Sequence, residues 1–199
     1  MKRKATTAAA SRVYRLRLEL QYLEPVIWRE IEVLSSMSLE GLHHALQIVM
    51  AWEDCHLWSF QAGQRRYEPA HDDPFGFGDK AENPGKVSVG AILSDIGSRL
   101  LYTYDFGDDW LIAITVVSVA APEGGLRYPR CVAGERAGPL EDSGGPPGYE
   151  RLLAARKKPR SREAKELLEW AGEGWDPDEF DIDAANKELA GLPAPRRLH

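Results

Sequence analysis

The sequence predicts an α+β fold: a curved antiparallel β-sheet built from hairpins, with one helix after strand two and further helices at the C-terminal end. Three observations lead there. Residues 13–22 alternate between Tyr14, Leu16, Leu18, Leu20, Tyr22 and Arg15, Arg17, Glu19, Gln21, the period of a strand with one wet face. Strand patterns fill the first part of the chain and helix patterns gather late. A single helical pattern separates the second strand from the third, which favours α+β over a doubly wound arrangement.

Taken in order, Leu23-Glu24-Pro25 ends the first strand, and the Val, Ile and Trp content of residues 26–34 brings the chain back as its antiparallel neighbour, with Pro25 removing a ladder donor at the turn. Ser35-Ser36-Met37-Ser38 supplies capping hydroxyls, and Leu39, Leu42, Leu46, Val49 and Met50 recur at helical spacing to about Ala51. Residues 56–60 alternate again as a third strand. Residues 69–85, rich in Pro, Gly, Asp and Asn, read as a long loop of the kind that serves as a functional or mobile flap. A short helix is expected over 88–96. Strands over 99–104 and 110–120 form a central hairpin, the second apolar on both faces and so placed mid-sheet. Residues 122–148 read as irregular. Helices are expected over 149–157, 162–171 after Ser161, and 184–190 after Asp183, with Pro159, Gly172 and Gly191 as interruptions.

With 199 residues and 43% hydrophobic content, one sizeable core is within reach. The expected division is a disordered tail over 1–11, a single domain over 12–191 and a flexible tail over 192–199. A net charge of −6 argues against a surface that coats nucleic acid generally. Two cysteines, Cys55 and Cys131, make no disulfide framework and suit a reducing compartment, so a cytoplasmic location is expected. The longest apolar run, 110–121, falls well short of the ~20 residues that span a bilayer, so no membrane partner is expected.

The ordered landmarks Glu24-Pro25-Val26-Ile27-Trp28-Arg29, Leu42-His43, Trp52 followed by His56-Leu57-Trp58-Ser59-Phe60, Tyr104-Asp105-Phe106-Gly107-Asp108-Asp109-Trp110, Tyr128-Pro129-Arg130-Cys131, Glu141-Asp142-Ser143-Gly144-Gly145 and Phe180-Asp181 closely resemble the plasmid pRiA4b ORF-3-like family from about Arg12 to Leu189. The resemblance implies an α+β domain associated with plasmids and other mobile elements, and no established activity. Many relatives carry further cysteines around the glycine-rich segment, where this chain has Gly138 and Ser143. A thiolate cluster built on Cys131 is therefore not expected.

Four constellations could carry chemistry. In the acidic turn, Asp105, Gly107, Asp108 and Asp109 are what hairpin geometry asks for, and Asp105 with Asp108 could also converge on a hard cation. Among the histidines, His43 shares a helix face with Leu39, Leu46 and Gln47 and reads as a buried core histidine. His44 points elsewhere, and His56, directly after Glu53-Asp54-Cys55, is the better ligand because imidazole beside carboxylate and thiol suits zinc. Cys131 with Glu141 and Asp142 is a third group, where a small buried cysteine outweighs a nucleophile. Last, Arg156, Lys157, Lys158 and Arg160 suit phosphate contact, balanced by an acidic segment from Glu166 to Asp183.

The leading expectation is a non-catalytic module for an unknown protein or nucleic-acid partner, with Trp58, Tyr104, Asp105, Asp108, Trp110, Tyr128, Glu141 and Asp142 along a groove. The alternative is a metal-dependent hydrolase or nuclease that holds one divalent metal, the single cofactor suggested, with His56, Asp105, Asp108 and Glu141.

Overall fold

The structure, a computed structural model, describes residues 12–70 and 81–193. Its strands are β1 (Val13–Leu20), β2 (Trp28–Leu34), β3 (Trp58–Ala62), β4 (Arg65–Tyr67), β5 (Arg99–Tyr104), β6 (Trp110–Ala120) and β7 (Arg130–Glu135). They make one seven-stranded sheet in the order β4-β3-β5-β6-β1-β2-β7, with every pairing antiparallel. The helices are α1 (Leu39–Met50) after β2, the single turn α2 (Val89–Ile92), and α3 (Gly145–Lys157), α4 (Arg162–Ala171) and α5 (Ile182–Leu189) at the C-terminal end.

The alternation in β1 sends Tyr14, Leu16, Leu18 and Leu20 into the core. There they join Leu100, Tyr102 and Tyr104 of β5, Ile112 and Ile114 of β6, and the apolar face of α1. The opposite face of β1 and β2 carries a charged ladder: Glu32 takes Arg15 at 2.8 Å and Arg130 of β7 at 2.7 Å, and Arg17 lies 3.7 Å over the Trp28 ring. Strand β6 is the middle strand of the seven, as its two apolar faces suggest.

Helix α1 begins on Ser38, whose side chain accepts from Gly41 N–H, and ends at Ala51 in the left-handed region. That reversal sends Trp52 to His56 back across the end of the sheet and into β3.

The departures from the sequence expectation are local. Strand β4 falls between the expected third strand and the 69–85 loop, where no element was expected, β7 falls in the stretch read as irregular, α3 starts four residues early at Gly145, and the helix expected over 88–96 is only α2. Strand β7 hides because it is a mixed-polarity edge strand. Its Gly134 is required by packing, since a Cβ there would press on the Phe180 ring and the Arg29 stem. Much of the expected 69–85 loop lies outside the described residues. Its flanks form β4, a bridge between Tyr67 and Glu82, and a short 3-10 turn over Pro84–Lys86. The tail expected over 1–11 also lies outside them, as do residues 194–199. Among the described residues, no helix is long and apolar enough to cross a membrane.

Candidate metal centre

Three chain segments meet at one end of the β3–β5–β6 hairpins. The first is the loop from Trp52 to Leu57. It is fixed by Asp54, which has a left-handed backbone (φ +56°) that Asp tolerates better than most residues. Asp54 N–H donates to Gln47 Oε1 at 2.9 Å, and Cys55 N–H donates to the Tyr104 hydroxyl at 3.2 Å. The second is the turn between β5 and β6, where Asp105 (φ +54°) accepts the Gly107 N–H on Oδ1 at 2.9 Å. The third is the loop from Pro139 to Gly144, tied down when Gly144 N–H donates to Asp108 Oδ2 at 3.0 Å and Trp52 Nε1 donates to Pro139 O at 3.0 Å.

These ties bring His56, Asp105, Glu141 and Asp142 together. His56 Nε2 lies 3.7 Å from Asp105 Oδ2, 3.8 Å from Glu141 Oε2 and 3.2 Å from Asp142 Oδ1. Glu141 is held by its other oxygen: Oε1 accepts from the Tyr104 hydroxyl at 2.8 Å and from Glu53 N–H at 2.7 Å. So Asp105 and Glu141 each spend one carboxylate oxygen on the protein and turn the other toward the imidazole. His56 Nε2 and Glu141 Oε2 are both buried and have no hydrogen-bond partner among the described residues. Asp142 is the outer member, with its side chain 75% exposed. Burial, and next the bond to Glu141, hold the Tyr104 phenol well above its ordinary pKa, so it stays a neutral donor.

For ligand bonds of about 2.0–2.2 Å, ligand atoms around one ion lie about 3–4 Å apart, the range found around His56 Nε2. The donor atoms form two triplets that share His56: His56, Asp105 and Asp142 on one side, and Cys55, His56 and Glu141 on the other, each with its ligating atoms within 4.8 Å of one another.

A neighbouring group, His43, His44 and Asp54, has similar proximity and different chemistry. His43 is buried and stacked on Trp58, centroids 3.9 Å apart. Its Nδ1 is 2.7 Å from the Tyr102 hydroxyl and its Nε2 is 2.7 Å from Asp54 Oδ1. Both ring nitrogens are therefore engaged. Gln47 Nε2 donates to the same tyrosine oxygen at 2.9 Å, so the consistent assignment has Tyr102 donating to Nδ1 and Nε2–H donating to Asp54. Burial pushes the His43 pKa down to about 4. This network braces the loop that carries His56.

Other sequence candidates lie elsewhere. Asp108 does not face His56; it is spent on Gly144, and Asp142 stands where Asp108 was expected. The aromatics expected along a groove are buried: Trp58 lies against His43, Tyr104 stacks on Trp52 with centroids 4.7 Å apart, Trp110 is fully enclosed, and the Tyr128 hydroxyl accepts from Glu123 N–H. Trp58, Tyr104 and Trp110 face inward because their strand positions belong to the core side of the sheet, and Tyr128 is buried in the bend before β7. Cys131 is buried in β7, its thiol donating to Ala133 O and its N–H to Asn186, and burial pushes the thiol pKa up, which suits packing rather than attack. Arg156 pairs with Asp176 at 2.8 Å, whereas Lys157, Lys158 and Arg160 are exposed with no ion pair among the described residues. Neither Cys55 nor Asp142 was in the metal set expected from the sequence, although each adjoins a residue that was.

An antiparallel seven-stranded sheet that gathers an imidazole and several carboxylates on its connecting loops defines the class of this α+β protein. The chain belongs to the plasmid pRiA4b ORF-3-like protein family, which it matches over residues 12–184. It is 32% identical over 180 residues to the uncharacterized protein y4hQ of Sinorhizobium fredii (strain NBRC 101917 / NGR234), covering 87% of this chain and 86% of that protein. A crystal structure of a protein of unknown function from Methanosarcina mazei Go1 matches with a TM-score of 0.78 and 33% identity, over 87% of this chain and 97% of the other.

Proposed function

We propose that the protein binds one divalent cation at His56, with Asp105, Glu141 and Asp142 supplying oxygen ligands. The observation that carries this reading is the division of labour within the two inner carboxylates. Asp105 Oδ1 and Glu141 Oε1 are tethered by N–H and O–H donors, while Asp105 Oδ2 and Glu141 Oε2 turn to His56 Nε2. Outer hydrogen bonds that orient ligands in this way are a regular part of metal sites. A bound cation would supply Lewis acidity and an activated water, so hydrolysis of a polar ester or phosphodiester is the chemistry the site suits. The protein's own part is to hold the carboxylates, keep the imidazole aimed at them and leave the exposed Asp142 side open to a substrate.

Elemental analysis of protein purified without chelator tests the reading. About one zinc, manganese or cobalt per chain in the wild type, absent from His56→Ala, is expected. A wild-type protein without stoichiometric metal, which also takes up none on dialysis against these ions, overturns it.

A second reading, nucleic-acid binding, is favoured by one observation: Lys157, Lys158 and Arg160 project from the end of α3 without acidic partners among the described residues. Helix α3 begins next to the carboxylate cluster and runs for 13 residues, so this patch lies about 20 Å away and would contact a phosphate backbone separately. Salt-sensitive retention of labelled DNA or RNA, weakened by charge reversal at Lys157 and Lys158, is expected. Retention indifferent to salt and to those changes contradicts it.

A further inference from the structure

His56 is shared by two ligand triplets of different hardness, and the softer one contains Cys55, which the oxygen-ligand reading does not use. Cys55 Sγ, the His56 ring and the Glu141 carboxylate have their ligating atoms within 4.8 Å of one another. The placement of Cys55 is built rather than incidental. Its N–H is held by the Tyr104 hydroxyl, the same hydroxyl that donates to Glu141 Oε1, so one phenol sets both the cysteine backbone and the carboxylate. Asp54, anchored through His43 and Gln47, fixes the residue before. Cys55 is exposed, and its Sγ approaches that hydroxyl at 3.9 Å. Next to it, His56 Nε2 and Glu141 Oε2 are buried polar atoms without hydrogen-bond partners.

We infer that Cys55 is a thiolate ligand, and that Cys55, His56 and Glu141 make this a site for zinc-type thiophilic cations rather than for magnesium or calcium. The inference rests on the proposed function, since it specifies which ion the His56 site takes and on which side. Thiolate and imidazole together select borderline-soft ions, whereas magnesium and calcium call for oxygen alone. Three protein ligands around zinc leave a fourth position for water or substrate. Bonds of about 2.3 Å to sulfur and 2.0–2.2 Å to nitrogen and oxygen require the ligating atoms to draw in by up to about 1 Å. An exposed cysteine side chain and a partly exposed histidine can supply that movement by rotation alone. Binding releases the thiol proton to solvent and oxidises nothing.

Titration of the full chain with cobalt(II), a spectroscopically visible substitute for zinc, tests the inference. Near-ultraviolet absorption from thiolate-to-cobalt charge transfer is expected in the wild type and in Cys131→Ala. It is expected to vanish in Cys55→Ser, with zinc affinity falling at least about tenfold, the lower range for disturbing even outer partners of a metal ligand. Cobalt binding without that absorption, and with zinc affinity unchanged in Cys55→Ser, overturns the role of Cys55 while leaving the oxygen-ligand site standing. No binding of cobalt or zinc by the wild type overturns both. Because Cys55 is exposed, the serine variant keeps the core intact, and unchanged thermal unfolding verifies that any loss is local.

Discussion

His43 and His56 lie 13 positions apart in the chain, and their surroundings differ sharply. His43 has both nitrogens bonded and is enclosed by Trp58, Tyr102 and α1, while His56 keeps Nε2 without a hydrogen-bond partner among the described residues. The buried His43 resists protonation in the folded state, with its pKa lowered to about 4 from 6.5. The unfolded chain binds that proton more readily, so the stability His43 contributes is present above pH 6.5 and is lost as pH falls toward 4. The slope is at most about 1.4 kcal/mol per pH unit. The groups that face the ring are Asp54, His44 and Tyr102. Denaturant midpoints measured between pH 7 and pH 4 are expected to fall more steeply in the wild type than in His43→Gln. Parallel curves would show that the histidine is not the titrating group.

The β5–β6 turn admits two readings that the sequence could not separate. Hairpin chemistry and cation binding both call for Asp at 105. In the structure the two oxygens of that carboxylate have different neighbours, Oδ1 accepting from Gly107 N–H and Oδ2 turned toward His56, so both readings can hold at once. Asp105→Asn therefore keeps a residue that tolerates the left-handed backbone and still accepts the Gly107 N–H. Stability is expected to change by less than about 1 kcal/mol and divalent-cation affinity to drop at least about tenfold. A melting temperature that falls with no change in ion binding would assign Asp105 to the turn alone.

The glycine-rich loop is held just as specifically. At Gly148 a Cβ would strike the Ser143 carbonyl oxygen, and at Gly145 (φ +66°) the Asp108 carbonyl oxygen. Gly148→Ala is expected to cost about 1–3 kcal/mol in thermal unfolding and to disturb the Glu141–Asp142 segment. An unchanged melting temperature would mean that α3 can lift from the loop freely.

Legibility also differed by element. Strands β1, β2, β5 and β6 were readable because long alternation or two-faced apolarity comes from burial that the residues themselves record. Strands β4 and β7 were not, because short edge strands of mixed polarity owe their existence to the strand beside them. The loops were least legible of all. Which carboxylate reaches His56 depends on left-handed backbone at Asp105, Asp109 and Asp142, and on the Asp108 bond to Gly144 that brings Asp142 in. Residue types alone carry none of that.

For the molecule as a whole, the sheet order places the site. With β3, β5 and β6 adjacent, the loop entering β3 and the turn joining β5 to β6 open at the same end, and Tyr104 at the end of β5 joins them to the third loop through Glu141. Three segments distant in sequence are tied by a handful of hydrogen bonds, so an ion bridging them acts as a staple between them. Binding to the folded state alone adds RT ln(1 + [L]/Kd), about 2.7 kcal/mol at a hundredfold excess over Kd. The wild type is accordingly expected to melt at higher temperature in zinc than in chelator, and Glu141→Gln to lose most of that difference. Equal melting temperatures in the two conditions would contradict a staple.

Calorimetric titration of the metal-free full chain with zinc, set beside His56→Ala, tests the central claim most directly. One saturable site per chain in the wild type, abolished by the substitution while the variant's unfolding stays cooperative, is the predicted result. Heats no greater than dilution in the wild type, or the same isotherm in both proteins, would contradict it.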